Sequence, residues 1–328
     1  MQLSHIRPVA AAVFDDPNLV SCAGLVPLAA LAQKCGLSRL ADEHLSVPTD
    51  KGANAGAKVG CLVAGMIAGA DSIDDMALLR HGAMGTVFDR PYAPSTLGSF
   101  LREFRFGHVR QLDAVASRLL TGLAERTPVL AGIDGPVCVD LDDTVIEVHG
   151  YAKQGSGYGY SRVRGLNALL ATITTTCAAP VITGQRLRRG SCGSPRGAAR
   201  MIADTLAAVK RLRSPGITGR PLVRMDSAFY GYPSVAAAIR GGADVSVTVR
   251  LDTRVKTAIA DIDDDAWTAI EYTDAVYDET TQRWISRPEV AEIAFTAFGS
   301  RTAAEQISGR LVVRRIPDLN PTREGQAT

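Results

Sequence analysis

The stretch VCVDLDDTVIEVHG, residues 137–150, decides the fold because it predicts a β-strand that carries three aspartates. Asp140, Asp142 and Asp143 interrupt an aliphatic run, although aspartate is depleted from strands and costly to bury without a partner. Side-chain alternation sends Asp140 and Asp142 to one face of the strand and Asp143 to the other. Carboxylates side by side repel each other unless a cation lies between them. The stretch therefore predicts either a metal site on a strand or a polar loop.

The segments around this strand predict an α/β protein with three regions. From residue 137 to 251 the patterns follow the order β-β-β-α-β-α-β, which is typical of a mixed sheet flanked by helices and matches the ribonuclease H-like fold. We expect an all-helical N-terminal region at 1–130, a partial ribonuclease H-like core at 131–255, and a β-rich insertion segment at 256–328. Glycine breaks between the N-terminal helices suit a helix-turn-helix DNA-binding module and equally an ordinary helical bundle.

Composition excludes several classes of protein. Of the 328 residues, 46% are hydrophobic and 21% charged, which is typical of a globular chain and not of a disordered one. The six cysteines form no CxxC pair and predict reduced thiols in a cytoplasmic protein. The longest apolar run, VGCLVAGMIAGA at 59–70, predicts a buried helix and is shorter than the ~20 residues that span a bilayer. We expect no membrane partner.

The charge is unevenly distributed although the net charge is only +2. Between Thr183 and Arg224 there are ten Lys and Arg and one acid, Asp204, whereas the segment Asp261 to Glu292 holds ten Asp and Glu and two Arg. A basic tract next to a candidate metal site predicts contacts with DNA phosphates, and a solvated helix face is the alternative. The candidate DNA-binding residues are Arg186, Arg188, Arg189, Arg196, Arg200, Lys210 and Arg211.

A second candidate acid, Asp226, follows an apolar run in VRMDSAFYG at 223–231. It is placed at the carboxyl end of the fourth strand, where open α/β sheets bind their ligands. Neighbouring first and fourth strands would bring Asp142 and Asp226 together, and oxygen-only ligands suit Mg²⁺ or Mn²⁺. A cap or a turn residue is the alternative for each aspartate.

Several quoted runs together resemble bacterial insertion-sequence transposases of the DDE type, most closely the insertion-sequence thirteen-eighty family. They are DLDDT at 140–144, QRLRRGSCGSPRGAARMIADTL at 185–206, RMDSAFYG at 224–231, DSIDDMALLRHG at 71–82 and APSTLGSFLREF at 93–104. The resemblance extends over nearly the whole chain.

The resemblance implies a site and an activity. It places the first catalytic and metal-binding acid at Asp142, with Asp140 and Asp143 as less favoured candidates, and the second at Asp226. It further implies divalent metal, cleavage of double-stranded DNA at inverted-repeat ends, strand transfer into target DNA, and a homodimer. The implied location is the bacterial cytoplasm, on the nucleoid when DNA is bound.

One part of the family pattern is missing. The third acid of the family lies on a later helix with nearby Arg and Lys, whereas this sequence ends in RRIPDLNPTREGQAT at 314–328. We therefore expect a C-terminally truncated and inactive chain. A non-catalytic DNA-binding remnant and a ribonuclease H-like nuclease are the alternatives. No role is assigned to the late glutamates Glu271, Glu279, Glu289, Glu292, Glu305 and Glu324.

Overall fold

The computed structural model describes residues 18–149, 153–270, 276–280, 283–285 and 288–315. Its N-terminal part is helical, with 3₁₀ turns between some of the helices. The α-helices are α1 (Leu25–Lys34), α2 (Leu37–His44), α3 (Ala55–Ile67), α4 (Pro94–Arg102) and α5 (Phe106–Ala124). Gly36 separates α1 from α2 in a left-handed conformation (φ 80°), which glycine adopts without a steric penalty. The predicted helical region is thus confirmed from residue 18 onward, and residues 1–17 of the prediction lie outside the described residues.

The N-terminal helices share a core that contains Leu40, Phe100 and Val115. The prediction that residues 59–70 form a buried helix is only partly correct. Helix α3 ends at Ile67 and has buried residues in its first turns, but Met66 and Ile67 at its end are 58% and 50% exposed. The end of the helix is therefore only partly buried.

A mixed six-stranded sheet follows the helices, in the spatial order β2-β3-β1-β5-β6, with β4 paired to β3. Its strands are β1 (Val137–Glu147), β2 (Gly157–Tyr158), β3 (Arg164–Thr175), β4 (Val181–Arg189), β5 (Leu222–Met225) and β6 (Asp244–Val247). Helix α6 (Ala198–Leu212) connects β4 to β5, and α7 (Tyr232–Arg240) connects β5 to β6. Strand β1 is antiparallel to β3 and parallel to β5. The ribonuclease H-like mixed sheet is confirmed, and the predicted order of elements is found with one addition, the two-residue strand β2.

The two faces of this sheet differ. On the inner face, Val139, Leu141 and Val223 are buried in a core that also holds Ile202 of α6. The opposite face, called the outer face below, is open: Ile182 and Leu187 of β4 are 57% and 58% exposed. Alternation along β1 places Asp140 and Asp142 on the outer face and Asp143 on the inner side.

Beyond the sheet lie a helix and short strands. Helix α8 (Thr253–Ala260) precedes β7 (Thr268–Ala269), β8 (Val276–Asp278), β9 (Arg283–Ile285), β10 (Glu289–Ala297) and β11 (Ile307–Arg315). Strands β11, β10 and β7 form one sheet, and β8 pairs with β9. Described strands thus occur where the β-rich segment was predicted, whereas α8 was not anticipated. The division at residues 130 and 255 stays a prediction. None of the helices within the described ranges combines the length and the hydropathy that a bilayer-spanning helix requires.

Candidate functional site

Asp142 and Asp226 are neighbours at the end of the parallel pairing between β1 and β5. The last paired residues are Leu141 and Met225, and each aspartate directly follows one of them. Leu141 and Met225 are buried, so alternation turns both carboxylates to the outer face, where both residues are exposed. The backbone of Asp226 is extended (φ −79°, ψ 179°), so this alternation continues past the strand end. Neighbouring strands lie about 4.8 Å apart, so the register places the two aspartates at adjacent positions, each one residue beyond the paired segment.

Each of these two carboxylates is oriented by one backbone amide. The Asp143 N–H donates to Oδ1 of Asp142 at 2.8 Å. The Ala228 N–H donates to Oδ1 of Asp226 at 2.9 Å, which caps a 3₁₀ turn anchored by the fully buried Phe229. No other protein donor reaches either carboxylate within the described ranges, so oxygen lone pairs remain available on the outer face.

Asp140 lies on the same face but is engaged by Arg224. The Arg224 guanidinium donates through Nε at 2.6 Å and through Nη2 at 2.8 Å, and the Thr174 hydroxyl adds a third hydrogen bond at 3.1 Å. The hydrogen bond to Asp140 raises the pKa of Arg224. Asp140 is therefore a cross-strand partner of Arg224 in this structure.

Asp143 points to the opposite side and is almost fully buried. Its side chain is 6% exposed and forms an ion pair at 2.8 Å with Arg188, whose side chain is 7% exposed. Asn167 donates to the same carboxylate, and Arg188 also donates to the carbonyls of Ser194 and Arg196. The structure thus places two candidate site residues, the metal candidate Asp143 and the DNA-binding candidate Arg188, in one internal network away from Asp142.

The donor set on the outer face suits a small divalent cation. Among the described residues no group of three or more His, Cys, Asp and Glu could hold a metal ion. Mg²⁺ does not require such a group, because proteins commonly bind it through one or two carboxylates while water and substrate phosphates complete the octahedron. Asp142 and Asp226 therefore match the carboxylate ligands of a Mg²⁺ ion that also binds water and phosphate oxygens.

The late glutamates with described side-chain partners form ion pairs with arginines. Glu289 and Glu292 of β10 pair with Arg315 and Arg310 of β11. Glu305 pairs with Arg301, and Glu279 is an exposed turn residue. Glu271 and Glu324 lie outside the described residues. None of the described late glutamates occupies an α-helix.

The predicted basic tract divides into exposed and internal residues. Arg186 is only 17% exposed, contacts Asp204 at 3.7 Å, and has an Nε atom without a partner, and burial lowers its pKa. Sequence reasoning missed the network around it, in which Arg110 of α5 pairs with both Asp113 and Asp204. The exposed members are Arg189, Arg196, Arg200, Lys210 and Arg211. Of these, Arg200 pairs with Asp204 and Arg211 donates to the Ser117 hydroxyl.

The chain was also compared with known proteins. The family model described as Transposase DDE domain group 1 matches residues 3–311. A search of curated proteins found no match to the chain. The matched range includes every described residue of the outer face, among them Asp142 and Asp226.

Proposed function

The chain belongs to the transposase DDE domain group 1 family, and on this premise we propose that Asp142 and Asp226 are its first two catalytic acids. The observation that carries the proposal is their position side by side, directly after the last paired residues of β1 and β5. They hold a divalent metal, Mg²⁺ or Mn²⁺, on the open face of the sheet. The substrate is double-stranded DNA, as the family implies.

The residues of the chain have distinct parts in this chemistry. When bound, the metal supplies positive charge that stabilises phosphoryl transfer. The amides of Asp143 and Ala228 orient the two carboxylates toward the outer face. Exposed cations, including Arg189 and Arg196, hold phosphates of the duplex without reading its sequence.

The finer assignment follows the resemblance of the quoted sequence runs. We propose a member of the insertion-sequence thirteen-eighty group that cleaves inverted-repeat ends and transfers them to target DNA. Bringing two ends together requires two active sites, so the proposed working form is a homodimer. For the N-terminal helices α1–α5 we propose contact with the DNA end.

A second candidate function is DNA binding without cleavage. It is favoured because no group of three metal-ligating side chains occurs among the described residues, and Asp140 is engaged by Arg224. Such a protein would occupy the DNA ends and block a catalytically active relative.

The proposal is tested with purified protein, Mn²⁺ and a labelled DNA fragment that carries the inverted repeats flanking the gene. Metal-dependent cuts at the repeat ends that are lost in Asp142→Asn and in Asp226→Asn support the proposed site, whereas the inactivity expected from the sequence predicts no cuts. Products joined to target DNA identify a transposase, and cuts without joining identify a nuclease. Binding without cleavage, equal in wild type and both variants, supports the second candidate. Cleavage that survives both substitutions contradicts the proposed site.

A further inference from the structure

Four charged residues form a square on the outer face, next to one another on β1 and β5. Asp140 is paired in register with Arg224, and one pleat further Asp142 lies beside Asp226. Three carboxylates and one guanidinium give this group a net charge of −2. The proposed function gives Asp140 and Arg224 no role, although they are in contact on the same face.

The Asp140–Arg224 contact is bidentate yet open to solvent. The two hydrogen bonds measure 2.6 and 2.8 Å, and the side chains are 33% and 47% exposed. A guanidinium binds a phosphate with the same planar, two-pronged geometry that it uses for a carboxylate. A phosphate that reaches the outer face can therefore replace Asp140 without a change in the number of hydrogen bonds made by Arg224.

We propose that Arg224 is a latch that holds Asp140 away from the metal until DNA is bound. The inference rests on the proposed function, because it requires both DNA and a metal on this face. In the free protein the Arg224 guanidinium donates two hydrogen bonds to the Asp140 carboxylate. On DNA binding, a backbone phosphate takes over the two N–H···O bonds. The released Asp140 carboxylate then supplies a third oxygen ligand next to Asp142.

Charge and position support this exchange. Asp140 and Asp142 are two residues apart on one strand face, so both carboxylates can turn toward the same small volume. Once a phosphate neutralises Arg224, the carboxylates of Asp140, Asp142 and Asp226 carry a charge of −3, which attracts a divalent cation more strongly than the latched group with its net charge of −2 does. The hydroxyl of Thr174 on β3 donates a hydrogen bond to Asp140, and its side chain can rotate to keep this hydrogen bond when the carboxylate turns.

The consequence is that DNA and metal bind cooperatively. Each must raise the affinity for the other by the same factor, because the coupling of two binding equilibria is reciprocal. A site whose metal ligands are complete without DNA has no such coupling through Arg224.

The test measures the affinity for a random-sequence DNA duplex by fluorescence anisotropy, with and without Mn²⁺ at matched ionic strength. In wild-type protein we expect Mn²⁺ to tighten DNA binding at least about fivefold, the lower end of usual coupling. Asp140→Asn and Arg224→Gln should each abolish this factor. Arg310→Gln is the matched control, since Arg310 is also an exposed strand arginine paired across strands, to Glu292. It should retain the wild-type factor.

A titration with Mn²⁺ alone separates the latch from a merely structural ion pair. Without DNA, Arg224→Gln should bind Mn²⁺ about tenfold more tightly than wild type, because it frees Asp140 and removes a nearby positive charge. Weaker Mn²⁺ binding by this variant would show that the pair only supports the site, and would overturn the proposal. If Arg224→Gln does not fold, the isosteric Asp140→Asn decides: a wild-type coupling factor in that variant overturns the latch.

The outcomes also distinguish the latch from the proposed function. Wild-type protein that binds Mn²⁺ and DNA without coupling contradicts the latch alone. Wild-type protein that binds neither contradicts the proposed function and the latch with it.

Discussion

The three aspartates of β1 lie in three different environments. Asp142 is exposed, Asp140 is paired with Arg224, and Asp143 is buried against Arg188. Alternation predicted from the sequence that Asp143 would face away from the other two. It could not predict the partners, because Arg188 is 45 positions away and Arg224 is 84 positions from Asp140. Side-chain partners of this kind are set by the strand register, which the sequence pattern does not encode.

The buried Asp143–Arg188 pair yields the first prediction. Arg188→Gln should lower the free energy of unfolding by about 3–5 kcal/mol, because it leaves the Asp143 charge buried without its cation. Urea unfolding followed by circular dichroism measures this loss. The exposed control, Arg310→Gln, should cost no more than about 1 kcal/mol. Equal effects of the two substitutions would show that Arg188 is no internal anchor.

At the scale of elements, the order of strands and helices followed from periodicity and turn residues. β1 was predicted as a strand from its aliphatic run, and α6 corresponds to the first helix in the predicted order β-β-β-α-β-α-β. The sequence did not reveal how α5 meets β4 and α6. The contact between these three elements, called the α5–α6 contact below, holds a cluster of charged residues. Its members are Arg110, Asp113, Arg186 and Asp204, which are up to 94 positions apart in the sequence.

The α5–α6 contact predicts how the stability of the protein depends on pH. Burial raises the pKa of Asp113 above its usual 3.8, and this outweighs the opposing effect of Arg110. A raised folded-state pKa means that the folded protein holds the proton more tightly than the unfolded chain. The stability from this group is therefore present at low pH and is lost as pH rises from 3.8 through the folded-state pKa.

The neutral isostere Asp113→Asn avoids that loss. It should unfold at a higher urea concentration than wild type near neutral pH, and the difference should shrink as the pH falls toward 3.8. The control is Asp264→Asn, an exposed turn residue. A variant that is less stable than wild type at neutral pH would show that the ion pair with Arg110 outweighs burial.

At the scale of the whole molecule, uneven charge indicated a nucleic-acid partner although the net charge is small. The exposed side chains of Arg189, Arg196 and Lys210 have no protein partner within the described ranges and are available to phosphates. Arg186 and Arg188 belong to the same tract by sequence but are largely internal. The distribution of charge along the chain located the basic region but could not separate surface cations from internal ones.

The exposed cations predict how the affinity for DNA depends on the salt concentration. Replacing Arg189, Arg196 and Lys210 together by Gln should weaken binding of any duplex and flatten the dependence of log affinity on log salt. The expected change in slope is about 0.9 for each DNA phosphate that the variant no longer neutralises. Anisotropy titrations over a salt series measure it, with Arg310→Gln as the single-charge control. An unchanged slope would mean that DNA is bound by a different surface.

The pair of acids could be predicted as a pair because each follows an apolar strand and the fold places those strands together. Their common register became visible only in the sheet, where Leu141 pairs with Met225. The fold therefore turns two separate motifs into one candidate metal site.

The most direct test of this account is a Mn²⁺ titration of the purified protein by calorimetry. We predict saturable binding by wild type and by Asp264→Asn, a weakening of at least about tenfold in Asp142→Asn and in Asp226→Asn, and no binding when both are replaced. Mn²⁺ binding that is unchanged in the double variant would contradict the assignment of Asp142 and Asp226 as the metal site.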